Sequence, residues 1–143
     1  MPRRLHERRL PPVNVAQSTD QIREWSAIAA RAAAEKKGED IVILAVGHIF
    51  PVTDAFVITS GANARQVRTM AEEVEEQVKA AGGPSPTHIE GLDDARWVLM
   101  DYGDFIVHLF LEEVRRFYDL ERLWADAERW SWERPGASVA AGE

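Results

Sequence analysis

Apolar residues recur along this chain with two different periods, and each change of period marks an element boundary. Over residues 18–37, apolar positions are spaced by three and four, which predicts an amphipathic helix. Ser18 is its predicted N-cap with Gln21 as capping-box partner, and Gly38 is its predicted stop. Residues 63–81 repeat the pattern and predict a second helix, which two glycines and a proline terminate.

Runs of strand length lie between and after these helices. Residues 41–46 (IVILAV) are typical of a strand buried on both faces, and 53–60 (TDAFVITS) predict the next strand. Residues 86–90 predict a short strand, and 97–110 (WVLMDYGDFIVHLF) predict two strands joined by a turn. Helices are predicted at 112–118 and 120–130. This order predicts an α/β single domain with a mixed sheet of about five strands flanked by helices.

Length and composition fit one folded domain with two polar ends. The 143 residues, 45% apolar and 29% charged, suit a single hydrophobic core. Residues 1–17 form an arginine-rich arm and 131–143 a small, polar tail; both are expected to be disordered around a domain at 18–130. No apolar run approaches the ~20 residues of a membrane helix. The absence of cysteine fits the cytoplasm, and the net charge of −7 predicts little direct contact with nucleic acid.

The segment Asp101-Tyr102-Gly103-Asp104 contains two acids that could serve as a catalytic pair. An aspartate beside a glycine turn, however, usually accepts backbone N–H bonds and keeps a low pKa, which suits a turn better than general acid catalysis. The segment is therefore predicted to be a hairpin turn with Tyr102-Gly103 at its tip. No complete catalytic set is found in the sequence.

Two further patterns in the sequence are candidate sites for a metal or a phosphate. His88 and His108 would come close if their strands paired, but the chain lacks the ligand spacing of a zinc or calcium site, and His108 is expected to be a core residue. The turn at residues 60–63 precedes a helix N-terminus, which attracts anions, although one glycine without the rest of a P-loop is a weak signal. No metal or cofactor is expected. A nucleotide-handling enzyme with a pocket near Ser60 to Arg65 remains the alternative.

The strand that enters the turn predicts a two-sided surface. Trp97, Leu99 and Asp101 lie on one side, and Val98 and Met100 on the other. One set must pack against helices, whereas the other is either exposed for a protein partner or a second core face. Composition leaves both possibilities open.

Two blocks of the sequence resemble a known family. The block W-x-x-x-D-Y-G-D-x-x-V-H begins at Trp97, and R-x-F-Y-D-L-E-R-L-W begins at Arg115. With IVILAV and TDAFVITSG, they closely resemble the ribosomal silencing factor family, also called RsfS or Iojap-related, over residues 25–127.

The resemblance implies a nucleotidyltransferase-like topology without catalytic carboxylates, and a translational repressor instead of an enzyme. It also implies binding to the large ribosomal subunit through ribosomal protein number fourteen, which blocks small-subunit joining under nutrient limitation, and a homodimer when free. A dimeric scaffold without a ribosomal role is the third possibility.

The same resemblance implies which residues contact the partner. The expected partner-binding residues are Trp97, Met100, Asp101, Tyr102, Gly103 and Asp104. Trp97 or Tyr102 is the expected apolar anchor, and the two aspartates would hold the turn or meet basic groups. Arg115, Tyr118 and Trp124 are expected to pack the C-terminal helices on the sheet.

Overall fold

The structure is a computed structural model that describes residues 10–133. The helices and strands follow one another in the predicted order, and one further strand, at the C-terminal end, was not predicted. In chain order they are α1 (Leu10–Glu35), β1 (Glu39–Ala45), β2 (Ala55–Gly61), α2 (Ala64–Ala80), β3 (His88–Glu90), β4 (Trp97–Asp101), β5 (Phe105–Leu111), α3 (Glu112–Tyr118), α4 (Leu120–Leu123) and β6 (Glu128–Arg129). Among the described residues, no helix has both the length and the apolarity that crossing a bilayer requires.

The strands form one mixed sheet, which confirms the predicted fold class. Its six strands lie in the order β3-β4-β5-β2-β1-β6. The central pair, β2 and β5, is parallel, and the pairs on either side are antiparallel. All seven residues of β2 are buried, as expected for a strand covered on both faces.

Helices cover the two faces of the sheet unequally. On the first face, α1 and α2 pack over the sheet through residues such as Ala29, Val67 and Val74. On the second face, α3 and α4 build a smaller cluster with Leu44 and Ile58. Because α3 packs over β2 and β5, strands β3 and β4 extend beyond it. That asymmetry positions the surface described below.

The first helix begins earlier than predicted. It starts at Leu10, so the predicted start and capping box at Ser18 were wrong. Pro11 and Pro12 fall in its first turn, where a missing backbone N–H removes no helical hydrogen bond. The second helix agrees with its prediction, and Asn63 caps it by accepting the N–H of Gln66. The expected disorder of residues 1–9 and 134–143 lies outside the described residues.

The C-terminal end of the described chain also differs from its prediction. The helix predicted over 120–130 ends at Leu123, and the chain then turns back so that Arg129 pairs with Leu44 at the edge of β1. Packing continues past residue 130, because the Trp132 indole donates to the carbonyl of Ile41 at 3.3 Å. The division into arm, domain and tail stays a prediction.

Candidate binding surface on the second face of the sheet

The hairpin between β4 and β5 turns at Gly103-Asp104, one residue later than predicted. The N–H of Tyr102 donates to the carbonyl of Phe105 at 2.9 Å, which leaves two residues in the loop. Gly103 has φ of +86°, the conformation that glycine supplies at the first central position of a type II′ hairpin. The carboxylate of Asp101 accepts the N–H of Gly103 at 2.8 Å. Asp101 therefore holds the turn.

Two of the expected partner-binding residues are core residues. Met100 is fully buried, and Tyr102 is 6% exposed with its ring stacked on Phe105 at 4.5 Å between centroids. Both belong to the cluster beneath α1 and α2. Burial, with a smaller contribution from the negative charge of Glu75, raises the pKa of the Tyr102 phenol, which keeps it neutral. The expectation of an exposed Tyr102 anchor and a Met100 contact is corrected, since neither side chain reaches the surface.

The alternate residues of β4 face the other way and stay accessible. Trp97, Leu99 and Asp101 are each partly exposed, whereas Val98 and Met100 are buried, as the alternation predicted. Leu99 lies opposite His108, and Asp101 opposite the partly exposed Ile106. This surface is called the open sheet face, and it consists of Trp97, Leu99, Asp101, Ile106, Phe117 and Tyr118.

An aromatic edge borders the open sheet face where α3 ends. The Trp97 ring lies 4.9 Å from Tyr118, which lies 5.0 Å from Phe117. Phe117 is 79% exposed and Tyr118 52%, so both rings present apolar surface to solvent. Neighbouring exposed aromatic rings are typical of protein interaction sites. Sequence reasoning missed Phe117, although adjacent residues on a helix point about 100° apart and cannot both face the sheet.

The open sheet face has an acidic rim at the turn. Asp104 is exposed, and its carbonyl accepts the N–H of Asp54 at 2.9 Å, so the β1–β2 connection lies against the turn. Burial, and secondarily the negative charge of Asp104, raise the pKa of the Asp54 carboxyl. Asp101 and Asp104 therefore place two carboxylates at the turn end of this apolar surface. Such a surface is complementary to a partner that carries basic groups around an apolar centre.

His108 lies below Trp97 in this face. The Trp97 indole N–H donates to Nδ1 of His108 at 3.1 Å, and His108 is 5% exposed. Burial lowers the pKa of His108 to about 4, so the imidazole is neutral at physiological pH. His88 is on β3, and β4 separates it from His108, so the two histidines do not form a pair. Within residues 10–133, no three or more His, Cys, Asp or Glu side chains are grouped to hold a metal ion.

The turn at residues 60–63 is filled by side chains of the protein itself. Asn63 caps α2, and Gln66 Oε1 accepts the N–H of Ala62 at 2.7 Å. The amide nitrogen of Gln66 donates to the carbonyls of Lys36 and Lys37, which ties the turn to the end of α1. These contacts occupy N–H groups that a phosphate would need. Ser60 does line an open cavity of about 640 Å³, which has arginines and acidic residues on its walls.

Comparison with known proteins gives consistent matches over most of the chain. The family described as "Ribosomal silencing factor during starvation" matches residues 19–142. "Ribosomal silencing factor RsfS" of Bacillus subtilis (strain 168) is 43% identical over 100 residues, covering 70% of this chain and 84% of that protein. "Mitochondrial assembly of ribosomal large subunit protein 1" of Mus musculus is 34% identical over 92 residues, covering 63% of this chain and 40% of that protein. A crystal structure of a Chromobacterium violaceum protein, 33% identical, has a TM-score of 0.69 and covers 80% of this chain and 93% of that one.

Proposed function

Because this chain belongs to the ribosomal silencing factor family, we propose that it represses translation by binding the large ribosomal subunit. Its partner there is ribosomal protein number fourteen, and the bound domain obstructs joining of the small subunit under nutrient limitation. The observation that carries the proposal is the open sheet face, with exposed aromatic rings beside an acidic rim. The name of the mouse relative, which refers to assembly of the large subunit, supports the choice of subunit.

The contact surface combines an apolar centre with a polar rim. Trp97 is the proposed anchor, because its ring is partly exposed and is supported from below by Phe110 at 4.8 Å. Leu99 and Ile106 extend the apolar centre along β4 and β5. The carboxylates of Asp101 and Asp104 meet lysines and arginines of the ribosomal protein. Of the six residues that the resemblance implied, Trp97, Asp101, Gly103 and Asp104 stay in the proposed contact.

Obstruction requires occupancy and no chemical step. A specific complex buries roughly 1,600 Å² in total, which a domain of this size can provide from one face of its sheet. The rest of the domain then occupies space that the small subunit needs. Since the net charge is −7, encounter with a basic protein is accelerated, and direct contact with ribosomal RNA is disfavoured. Protein contacts therefore dominate the proposed complex, which forms in the cytoplasm.

The free protein is proposed to be a homodimer, as the resemblance implies. Phe117 and Leu123, on the adjacent helices α3 and α4, are 79% and 76% exposed, and a second copy that covers both side chains would bury apolar surface. Sedimentation equilibrium of the full chain checks this proposal. A mass near twice the monomer mass supports it, and a monomer at tens of micromolar contradicts it.

Calorimetric titration of purified ribosomal protein fourteen into the full chain tests the choice of partner. We expect stoichiometric binding that Leu99→Arg weakens at least tenfold, because the arginine adds positive charge to the open sheet face. Ala80→Arg is the matched control, since it adds the same side chain at an exposed position of α2 on the other face. Absence of binding by the wild type, or equal binding by both variants, would contradict the proposal.

The nucleotide-handling enzyme is separated from this function by a second titration. The cavity beside Ser60 favours the enzyme, but Arg115 already donates to the Ser60 hydroxyl at 3.1 Å. Titration with ATP and magnesium is expected to give no stoichiometric heat. A micromolar, one-to-one signal would favour the enzyme.

A further inference from the structure

A buried histidine and the proposed anchor are joined by one hydrogen bond. We propose that His108 is a positioning residue of the open sheet face, which holds the Trp97 indole in the orientation that the ribosomal partner binds. This inference rests on the proposed function of that face. It assigns a role to a side chain that the partner itself does not touch, because His108 is 95% covered by the protein.

The register of the sheet brings the two rings together. Trp97 lies opposite Phe110 and Leu99 opposite His108, so Trp97 and His108 are diagonal neighbours on one side of adjacent strands. The indole N–H donates to Nδ1 of His108 at 3.1 Å, and the ring centroids are 6.0 Å apart. Packing against Phe110 and Tyr118 restricts the indole plane, and the hydrogen bond to His108 specifies which edge of the ring points inward.

The protonation state of His108 shows that the arrangement carries an energetic cost. Nδ1 accepts a hydrogen bond, so the single proton of the neutral imidazole lies on Nε2. Nε2 is buried and has no hydrogen-bond partner among the described residues. The ring of Phe56 stands nearly perpendicular to the imidazole at 4.8 Å, which is at most a weak contact for an N–H group.

An apolar side chain at position 108 would avoid this cost. The neighbours Phe56, Ile58 and Phe110 already form an apolar layer, into which leucine would fit without an orphaned donor. A buried polar group with one satisfied atom and one unsatisfied atom therefore calls for a reason other than stability. Orienting a partly exposed indole is the reason that the contacts supply, because the bond of His108 runs to Trp97.

Two substitutions of equal size separate positioning from packing. Asparagine at 108 can place its side-chain oxygen near the former Nδ1 and accept the indole N–H, whereas leucine cannot. Leucine leaves no orphaned donor in the apolar layer, whereas the asparagine amide keeps one, so His108→Leu should be at least as stable as His108→Asn in chemical denaturation. Weaker binding by His108→Leu would then not come from weaker folding. The Trp97 indole N–H resonance, identified by its loss in Trp97→Phe, should keep its hydrogen-bonded shift in His108→Asn and lose it in His108→Leu.

Binding to purified large subunits supplies the second readout. We expect His108→Leu to bind about three- to tenfold more weakly than His108→Asn, which is the size of one net hydrogen bond. In the background of Trp97→Phe, which lacks the donor, the Leu and Asn variants should bind equally. Equal binding by His108→Leu and His108→Asn in the wild-type background would overturn the proposal. If wild type fails to bind the subunit, the proposed function fails; an unchanged indole resonance in His108→Leu then separately overturns the positioning.

Discussion

The Arg115 side chain, which extends from α3, makes hydrogen bonds to β1, β2 and α4. Its removal tests whether these contacts stabilise the second face of the sheet. Nε and Nη2 donate to the carboxylate of Glu121 at 3.2 and 2.6 Å. Nη1 donates to the carbonyl of Glu39 at 3.0 Å and to the Ser60 hydroxyl at 3.1 Å, and Nη2 to the carbonyl of Asp40 at 2.6 Å. The contact with Asp40 falls where the β1–β2 register shifts and φ reaches +51°.

The cost of Arg115→Ala follows from what the substitution leaves unpaired. Arg115 is 8% exposed, and removal of one partner from a buried ion pair costs about 3–5 kcal/mol. The Glu121 side chain is 24% exposed and borders a cavity of about 640 Å³, so water can reach its carboxylate. Burial raises the pKa of the Glu121 carboxyl, but the hydrogen bonds and positive charge of Arg115 lower it by more. The pKa of Glu121 therefore lies below its usual value. We therefore expect the lower end, about 3 kcal/mol.

Urea denaturation followed by circular dichroism measures this loss. Arg115→Lys should lower the free energy of unfolding by about 1–2 kcal/mol. The lysine ammonium group keeps the positive charge but cannot reproduce the planar arrangement of five N–H donors in the guanidinium. Arg122→Ala is the control: its side chain is 85% exposed and 4.0 Å from Asp119, so its loss should stay below about 0.5 kcal/mol. A loss below about 1 kcal/mol for Arg115→Ala would refute the view that this side chain holds β1, β2 and α4 together.

Three further predictions concern β4 and its surroundings. Because burial lowers the pKa of His108 to about 4 from 6.5, unfolded chains bind the extra proton first as pH falls. Stability should therefore drop by about 3 kcal/mol between pH 6.5 and 4 relative to His108→Asn, and parallel pH profiles of the two proteins would contradict this. Both Gly91 and Gly103 have a positive φ, +91° and +86°. A Cβ added at Gly91 would lie 2.1 Å from the carbonyl oxygen of Trp97, whereas a Cβ added at Gly103 would have no atom within 4 Å. Thermal unfolding should show a loss above about 3 kcal/mol for Gly91→Ala and about 1–2 kcal/mol for Gly103→Ala, and equal losses would be inconsistent with the close approach. The Tyr102 hydroxyl is buried without a partner among the described residues, so Tyr102→Phe should change stability by less than about 1 kcal/mol and leave subunit binding unchanged, whereas a larger loss would reveal an unseen partner.

The elements with strong local patterns were predictable. Residues close together in sequence specify the apolar stripe of α2, its Asn63 cap and the continuous apolar runs of β1 and β2. The structure confirms these elements. The start of α1 was missed because the residues before Ser18 show no helical periodicity, although Pro11 and Pro12 are compatible with the first turn of a helix. Strand β6 was missed because two residues carry no period, and its pairing to Leu44 joins positions far apart in sequence.

The binding surface was only half predictable, although one signal was available. Alternation along β4 assigns Met100 to the core side, and one further step of two assigns Tyr102 to the same side. Both residues belong to the segment that resembles the family, and the resemblance alone assigned them to the partner contact. The alternation assigns both side chains to the core, where the structure places them. Phe117 lay outside the segment, and its exposure depends on where α3 crosses the sheet, which no local pattern specifies.

Subunit joining in the presence of the protein tests most directly whether the open sheet face silences the large subunit. Purified large and small subunits are mixed with wild type, Leu99→Arg or Ala80→Arg and separated on sucrose gradients, after circular dichroism has shown that both variants are folded. Wild type and Ala80→Arg should sediment with the large subunit and reduce whole ribosomes in proportion to occupancy, whereas Leu99→Arg should require at least tenfold more protein. Unreduced joining at saturating wild type, or equal obstruction by Leu99→Arg, would contradict the proposed mechanism.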